Sequence, residues 1–335
     1  MLYVTTRDNK DAFTAHRALS TNTAADGGLY VPFRFPVYTE DEIAEMTQKS
    51  FGQIVAEVLN QFYASRLSGW DVELAVGKNA CNVALMNHRI AVAELWRNPA
   101  GKFTYLVDSL YSAIYGATEQ KPTTWFVVSV RIAVLFGLYA ILVQQNAISV
   151  GQCIDIAVPV DDFSAPAAGF YARKMGLPIG VIVCTGDENC AVWDLLHRGT
   201  FSTSGVDKGL LLGIERLVFS GLGIEEAEKY RAAVEKGRSY SVSEELLQIL
   251  SEGYFCAVAG ANRSSNTINS VYRSNQYIMD PGAAVCYGGL QDYRARTGES
   301  SLSLIMSENT PMDATKEILA ATGLTYEKMF GCVKL

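Results

Sequence analysis

Residues 153–185, CIDIAVPVDDFSAPAAGFYARKMGLPIGVIVCT, read as a strand, a loop, a helix and a second strand. Short apolar runs, CIDIAVP and IGVIVC, flank a segment of helical length, and strands joined through a helix pair in parallel. A parallel sheet is covered on both faces, so this unit commits the chain to an α/β architecture. A loop opening onto a helix N-terminus is also where such proteins hold anions, because unpaired N–H groups and the helix dipole both favour negative charge. Glycine normally fills that loop so that the backbone can approach a ligand closely. Here the loop is Val160-Asp161-Asp162-Phe163-Ser164, with no glycine and two carboxylates. Asp161 or Asp162 is expected to cap the helix by accepting N–H bonds of its first turn.

The alternation of strands and helices extends along the chain. Residues 1–93 read as a first unit with a strand at MLYVTT, a helix from Thr39 and a helix in SFGQIVAEVLNQFY; residues 94–335 read as a larger α/β unit. The run from Trp125 to Val143 is apolar except for Ser129 and Arg131. Its length approaches the ~20 residues that span a bilayer. Arg131 would cost ~2.5–3.5 kcal/mol inside a membrane, and the flanks lack basic anchors, so a buried core helix is expected.

A net charge of -7 without a Lys/Arg cluster argues against a nucleic-acid surface. Seven cysteines with no CxxC pair fit reduced thiols in a cytoplasmic protein, and MLYVTTRDNK does not read as a signal peptide. The three histidines form no metal-ligand pattern, and no GxSxG, Walker or GxGxxG motif occurs. CTGDENC, Cys184 to Cys190, sets two carboxylates beside two thiols, yet its place between a strand and a helix suits a plain turn, so no metal is expected.

Several stretches together resemble threonine synthase, a pyridoxal-phosphate (PLP) enzyme of the tryptophan-synthase-β type. DGGLYVP, Asp26 to Pro32, resembles that family's N-terminal signature, and SFGQIVAEVL the helix after it. AVAELWRNP resembles its strand ELFHGP, ARKMGLPI its AKKMGLPI, and SLSLIMSENTPMDATKEILAATGL its C-terminal strand and helix. The resemblance implies a mainly parallel sheet wrapped by helices, with an N-terminal α+β subdomain.

The family's chemistry does not carry over. Its strand motif continues GPTLAFKD, and that lysine forms the Schiff base with PLP. Laid without gaps from Glu94, this chain reads ELWRNPAGKFTY, so Phe103 keeps the aromatic position and Thr104 takes the lysine's. Threonine has no amine to condense with the cofactor aldehyde. Lys102, two residues early and ~6–7 Å away along an extended loop, is a weak substitute better explained as a surface lysine. The family's phosphate loop PTGNFGN aligns with PVDDFSA, Pro159 to Ala165, which has no glycine and carries Val160, Asp161, Asp162 and Ser164 around a retained Phe163. The small domain carrying SGDTG is missing around residues 117–124, and DPGAA (Asp280 to Ala284) and MSENTPMDA lack the family's histidines.

The expectation is a catalytically inactive relative with no cofactor. It would bind a small molecule in a remnant cleft, or a second copy or another protein through surface uncovered by the lost domain. The helix face of Tyr105, Leu106, Leu110, Tyr111, Ile114 and Tyr115 is the candidate contact. Two alternatives stand beside it. One is a PLP lyase using Lys102 on a phosphohomoserine-like substrate. The other is a different enzyme built on Arg97, Arg131, Asp161, Asp162, Asp280 and Glu308, which the resemblance brings towards one cleft.

Overall fold

The computed structural model describes residues 1–8, 10–116, 119–186, 190–258 and 260–334. Its N-terminal part pairs β1 (Leu2–Thr5) with β2 (Phe13–Thr14) and, past α1 (Ala15–Ser20), with β3 (Tyr30–Pro32), all antiparallel. Three helices follow: α2 (Glu40–Met46), α3 (Phe51–Tyr63) and α4 (Gly69–Val76). Each starts with a capping box, Thr39 with Glu42, Ser50 with Gln53 and Ser68 with Asp71, in which both end groups satisfy an otherwise unpaired N–H.

The chain then enters the main sheet with β4 (Asn82–Asn87) and β5 (Ile90–Glu94). It continues through α5 (Phe103–Tyr115), α6 (Thr124–Gln144), β6 (Ile154–Pro159), α7 (Ser164–Lys174) and β7 (Ile179–Gly186). After α8 (Val192–Arg198), β8 (Thr200–Phe201), α9 (Lys208–Leu222), α10 (Ile224–Glu235), β9 (Tyr240–Ser241) and α11 (Glu244–Gly253) it returns as β10 (Tyr254–Val258). It closes with α12 (Ala261–Asn275), α13 (Pro281–Thr297), β11 (Ser303–Ser307), α14 (Thr315–Thr322) and α15 (Tyr326–Lys334). The six strands lie in the order β10-β7-β6-β11-β5-β4, parallel except for the edge strand β4. The sheet therefore crosses the 93/94 division.

Both faces of this sheet are buried. Along β5, β6, β7 and β11, Ala93, Ile156, Ile182 and Leu304 join one apolar cluster, whereas Val92, Ala157, Val183 and Ile305 join a second on the opposite face. This period of two follows from the pleat. α6 is long and apolar enough to cross a membrane by length and composition, but here it packs against α3 and α7 inside the first cluster. Gly137 permits the α3 approach, since a Cβ there would sit 2.5 Å from the Phe51 ring. α5 and α6 are joined by residues 116–123, of which Ala117 and Thr118 lie outside the described residues.

The proposed contact face of α5 is a correction. Leu106, Leu110 and Tyr111 are buried, because α5 packs against α4 and α6. The exposed apolar side chains here are Trp70 and Leu74 on α4, at 70% and 74% exposure.

Candidate functional site

In open α/β sheets, ligands bind beyond the carboxyl ends of the strands. There the end of β6 runs into Val160, Asp161 and Asp162, and Phe163 starts α7 from the left-handed region at φ 60°. That conformation is unfavourable for a bulky residue, and complete burial of the Phe163 ring holds it. The Asp162 carboxylate accepts the N–H of Ser164 at 2.9 Å and its hydroxyl at 2.5 Å. The first N–H of α7 is thus taken by the chain's own anion. α9 leans on the same loop: a Cβ at Gly213 would sit 2.4 Å from the Asp162 carbonyl oxygen.

Arg131 reaches this point from α6. It donates to the Ser164 hydroxyl at 3.0 Å and makes a two-point pair with Glu308, just past β11, at 2.5 and 3.0 Å. Its guanidinium lies 4.3 Å from the Phe103 ring centre, a cation–π contact. Burial works against the charge, but the Glu308 carboxylate outweighs it, with help from Asp162 and Asp161, and holds the guanidinium above the usual arginine range. Arg131 and Glu308 side chains are only 13% and 20% exposed. Beneath the pair is a cavity of about 20 Å³, lined by Leu95, Phe103, Val134, Ile156, Ala168 and Met306 among others. That is room for about one water molecule.

The start of α5 is tied to the β11 end. Phe103 N–H donates to the Glu308 carbonyl at 2.8 Å, and Thr310 N–H to the Gly101 carbonyl at 2.8 Å. In this register Phe103 faces inwards and Thr104 faces solvent. Lys102 points away as well, its ammonium 3.4 Å from the Asp313 carboxylate, with both side chains about half exposed.

The remaining predicted residues have partners of their own. Arg97 pairs with Glu94 at 2.9 Å and lies 4.7 Å over Trp96, in a cleft with Asn82, Tyr277 and Cys332. Asp280 caps α13 by accepting Ala283 N–H at 3.1 Å and accepts the Ser307 hydroxyl at 2.5 Å; Ser307 in turn accepts the Trp96 indole N–H at 2.9 Å. Burial pushes the Asp280 carboxyl up to about 6 against those hydrogen bonds. Asp161 lines a different, open cleft of about 480 Å³ with Cys190, Ser202, Ser204 and Asp207. So the structure joins Arg131, Glu308, Ser164 and Asp162, brings Asp161 and Asp280 within electrostatic reach of that pair, and places Arg97 in a separate cleft. Asp187 and Glu188 of CTGDENC lie outside the described residues; among those described, no group of three or more His, Cys, Asp or Glu could hold a metal ion.

Residues 2–78 match the family model for the threonine synthase N terminus. Two solved structures superpose on the chain: PLP-bound threonine synthase from Brucella melitensis and threonine synthase from yeast. The first has a TM-score of 0.79 at 17% identity, covering 97% of this chain and 92% of that one. The second has a TM-score of 0.82 at 15% identity, covering 98% and 91%. The chain is threonine synthase-like. Among curated relatives, Threonine synthase-like 1 from Homo sapiens is 27% identical over 236 residues, covering 66% of this chain and 30% of the relative. Threonine synthase-like 2 from Pongo abelii is 26% identical over 241 residues, covering 67% and 48%. This threonine synthase-like chain is thus matched over less than half the length of either relative.

Sequence reasoning named Arg131 and Glu308 among six groups of one cleft without pairing them. The signal was a single cation in an otherwise apolar helix, which burial obliges to find a carboxylate.

Proposed function

We propose that this chain is a threonine synthase-like pseudoenzyme that carries out no PLP chemistry and works in the cytoplasm by assembling with a second copy of itself. The observation that carries the reading is the Arg131–Glu308 pair at the strand ends, with Arg131 lining an apolar cavity of only about 20 Å³. Sites for small organic ligands usually hold about 300–1,000 Å³.

The residues present do not fit pyridoxal phosphate. None of the cavity's lining residues is a lysine. Thr104 has no amine and faces solvent, and Lys102 is turned to Asp313. The anion position at the start of α7 is taken by Asp162, with Glu308 close by, so a phosphate dianion would meet two like charges. The assembly role rests on the exposed Trp70 and Leu74, one helical turn apart on α4, which a second copy would cover. The cytoplasmic assignment rests on seven cysteines with no CxxC pair.

Incubation with PLP followed by borohydride reduction and peptide mass mapping tests the cofactor claim. No stoichiometric pyridoxyl adduct is expected. One adduct per chain at a single lysine, lost in Lys102→Ala, would instead establish the PLP lyase reading. Sedimentation of the wild type and of Trp70→Asp tests assembly: a dimer that dissociates in the variant is expected, and a wild-type monomer at high concentration rejects it.

A further inference from the structure

Two thiols distant in sequence meet beside the open cleft. Cys190 lies two residues before α8, Cys256 lies 66 residues later in β10, and their sulphur atoms are 3.7 Å apart. The approach has a local cause. α8 packs on β10, and Gly186 at the end of β7 leaves room for the Cys190 sulphur, which would sit 2.7 Å from any Cβ there. Sulphur atoms in van der Waals contact need to close by about 1.7 Å to reach the ~2.05 Å of a disulfide bond. Their accessibility differs. Cys190 is partly exposed and lines the cleft with Asp161 and Ser202, whereas Cys256 is buried beside Cys184, its register partner across β7.

We propose that Cys190 and Cys256 form a reversible oxidation site, closed to a disulfide by hydrogen peroxide entering through the open cleft. The Cys190 thiolate attacks one peroxide oxygen. An S–O bond forms, the O–O bond breaks, and the second oxygen leaves as water after protonation, giving a sulfenic acid. The Cys256 sulphur then attacks the Cys190 sulphur as its proton passes to the departing hydroxide, which leaves as a second water. Two thiols lose two electrons, and one peroxide is reduced to two waters. The order follows from access and acidity. Contact with Cys190, together with burial, holds the Cys256 thiol far above the usual cysteine range, so it acts as the resolving partner. The bond pins the start of α8 to β10 and encloses the segment carrying Asp207 and Leu210, which line the same cleft.

Purified wild-type protein treated with hydrogen peroxide at low molar excess, denatured in N-ethylmaleimide and peptide-mapped provides the test. The expected product is a linked Cys190–Cys256 peptide, lighter by two hydrogens than its separate parts, which dithiothreitol reverses. It is absent from Cys190→Ser, where Cys256 stays reduced and alkylated. Oxidation of Cys190 to sulfinic or sulfonic acid without the linked peptide overturns the proposal. So does alkylation of both thiols after peroxide, or a Cys184–Cys256 link. The wild-type map and Cys190→Ser decide the matter even if Cys256→Ser fails to fold.

Discussion

The loop at residues 160–164 divides two unlike spaces. On the α6 side, Arg131 lines a small apolar cavity of about 20 Å³ and pairs with Glu308; on the α9 side, Asp161 borders a larger, hydroxyl-lined cleft of about 480 Å³. Asp162 is spent on the N–H and hydroxyl of Ser164, which draws in Arg131, while Asp161 lines the cleft. The difference teaches that a helix start, a place that favours anions, can be occupied from within the chain. An internal carboxylate and guanidinium can fill the position and become part of the core.

If the α6 side is structural, its disruption costs most. Arg131→Ala leaves the Glu308 carboxylate partly buried and unpaired, and a loss of about 3 kcal/mol in chemical denaturation is expected. The double variant Arg131→Met, Glu308→Gln should recover most of it, since apolar or neutral replacements remove the desolvation cost of both charges. Gly213→Ala should cost about 2 kcal/mol by driving α9 off the Asp162 carbonyl.

Asp280 supplies a pH-dependent measurement close to the α6 side. Its folded pKa of about 6 lies above the ordinary carboxylate value, so the folded state binds this proton more tightly than the unfolded state does. Stability from this group is therefore present at pH 4 and lost as pH rises through 6. Asp280→Asn should stabilise by about 2 kcal/mol at pH 8 and by little at pH 4, read from paired denaturation curves.

On the α9 side, Asp207→Ala removes the cap that accepts Gly209 N–H at 2.7 Å, a loss of about 1 kcal/mol. Lys102→Ala breaks only an exposed pair and should change stability by less than about 0.5 kcal/mol. A larger loss there than for Arg131→Ala would overturn the contrast.

Much of the architecture was legible because it is written in local chemistry. The Thr39 cap, the helix stop at Gly199 in the left-handed region and the β6-α7-β7 unit each follow from neighbours in sequence. The capping expectation at Asp161 or Asp162 resolves to Asp162. The site was less legible because its contacts are long-range. Arg131 and Glu308 are 177 residues apart, and Cys190 meets Cys256 only through the packing of α8 on β10. The alignment through Thr104 could not show that the side chain there faces outwards. That orientation depends on how residues 101–103 bond to residues 308–310.

β11, made of residues 303–307, sits between β6 and β5 in the middle of the sheet. During synthesis, then, the β4–β5 hairpin cannot join the other parallel strands until residue 307 has left the ribosome. Until that moment the apolar faces of a half-built sheet stand open, and closing them means bringing together segments separated by some two hundred residues. Such non-local closure is slow and exposes the nascent chain to aggregation. The order in which this sheet can close is thus set by where one strand is encoded.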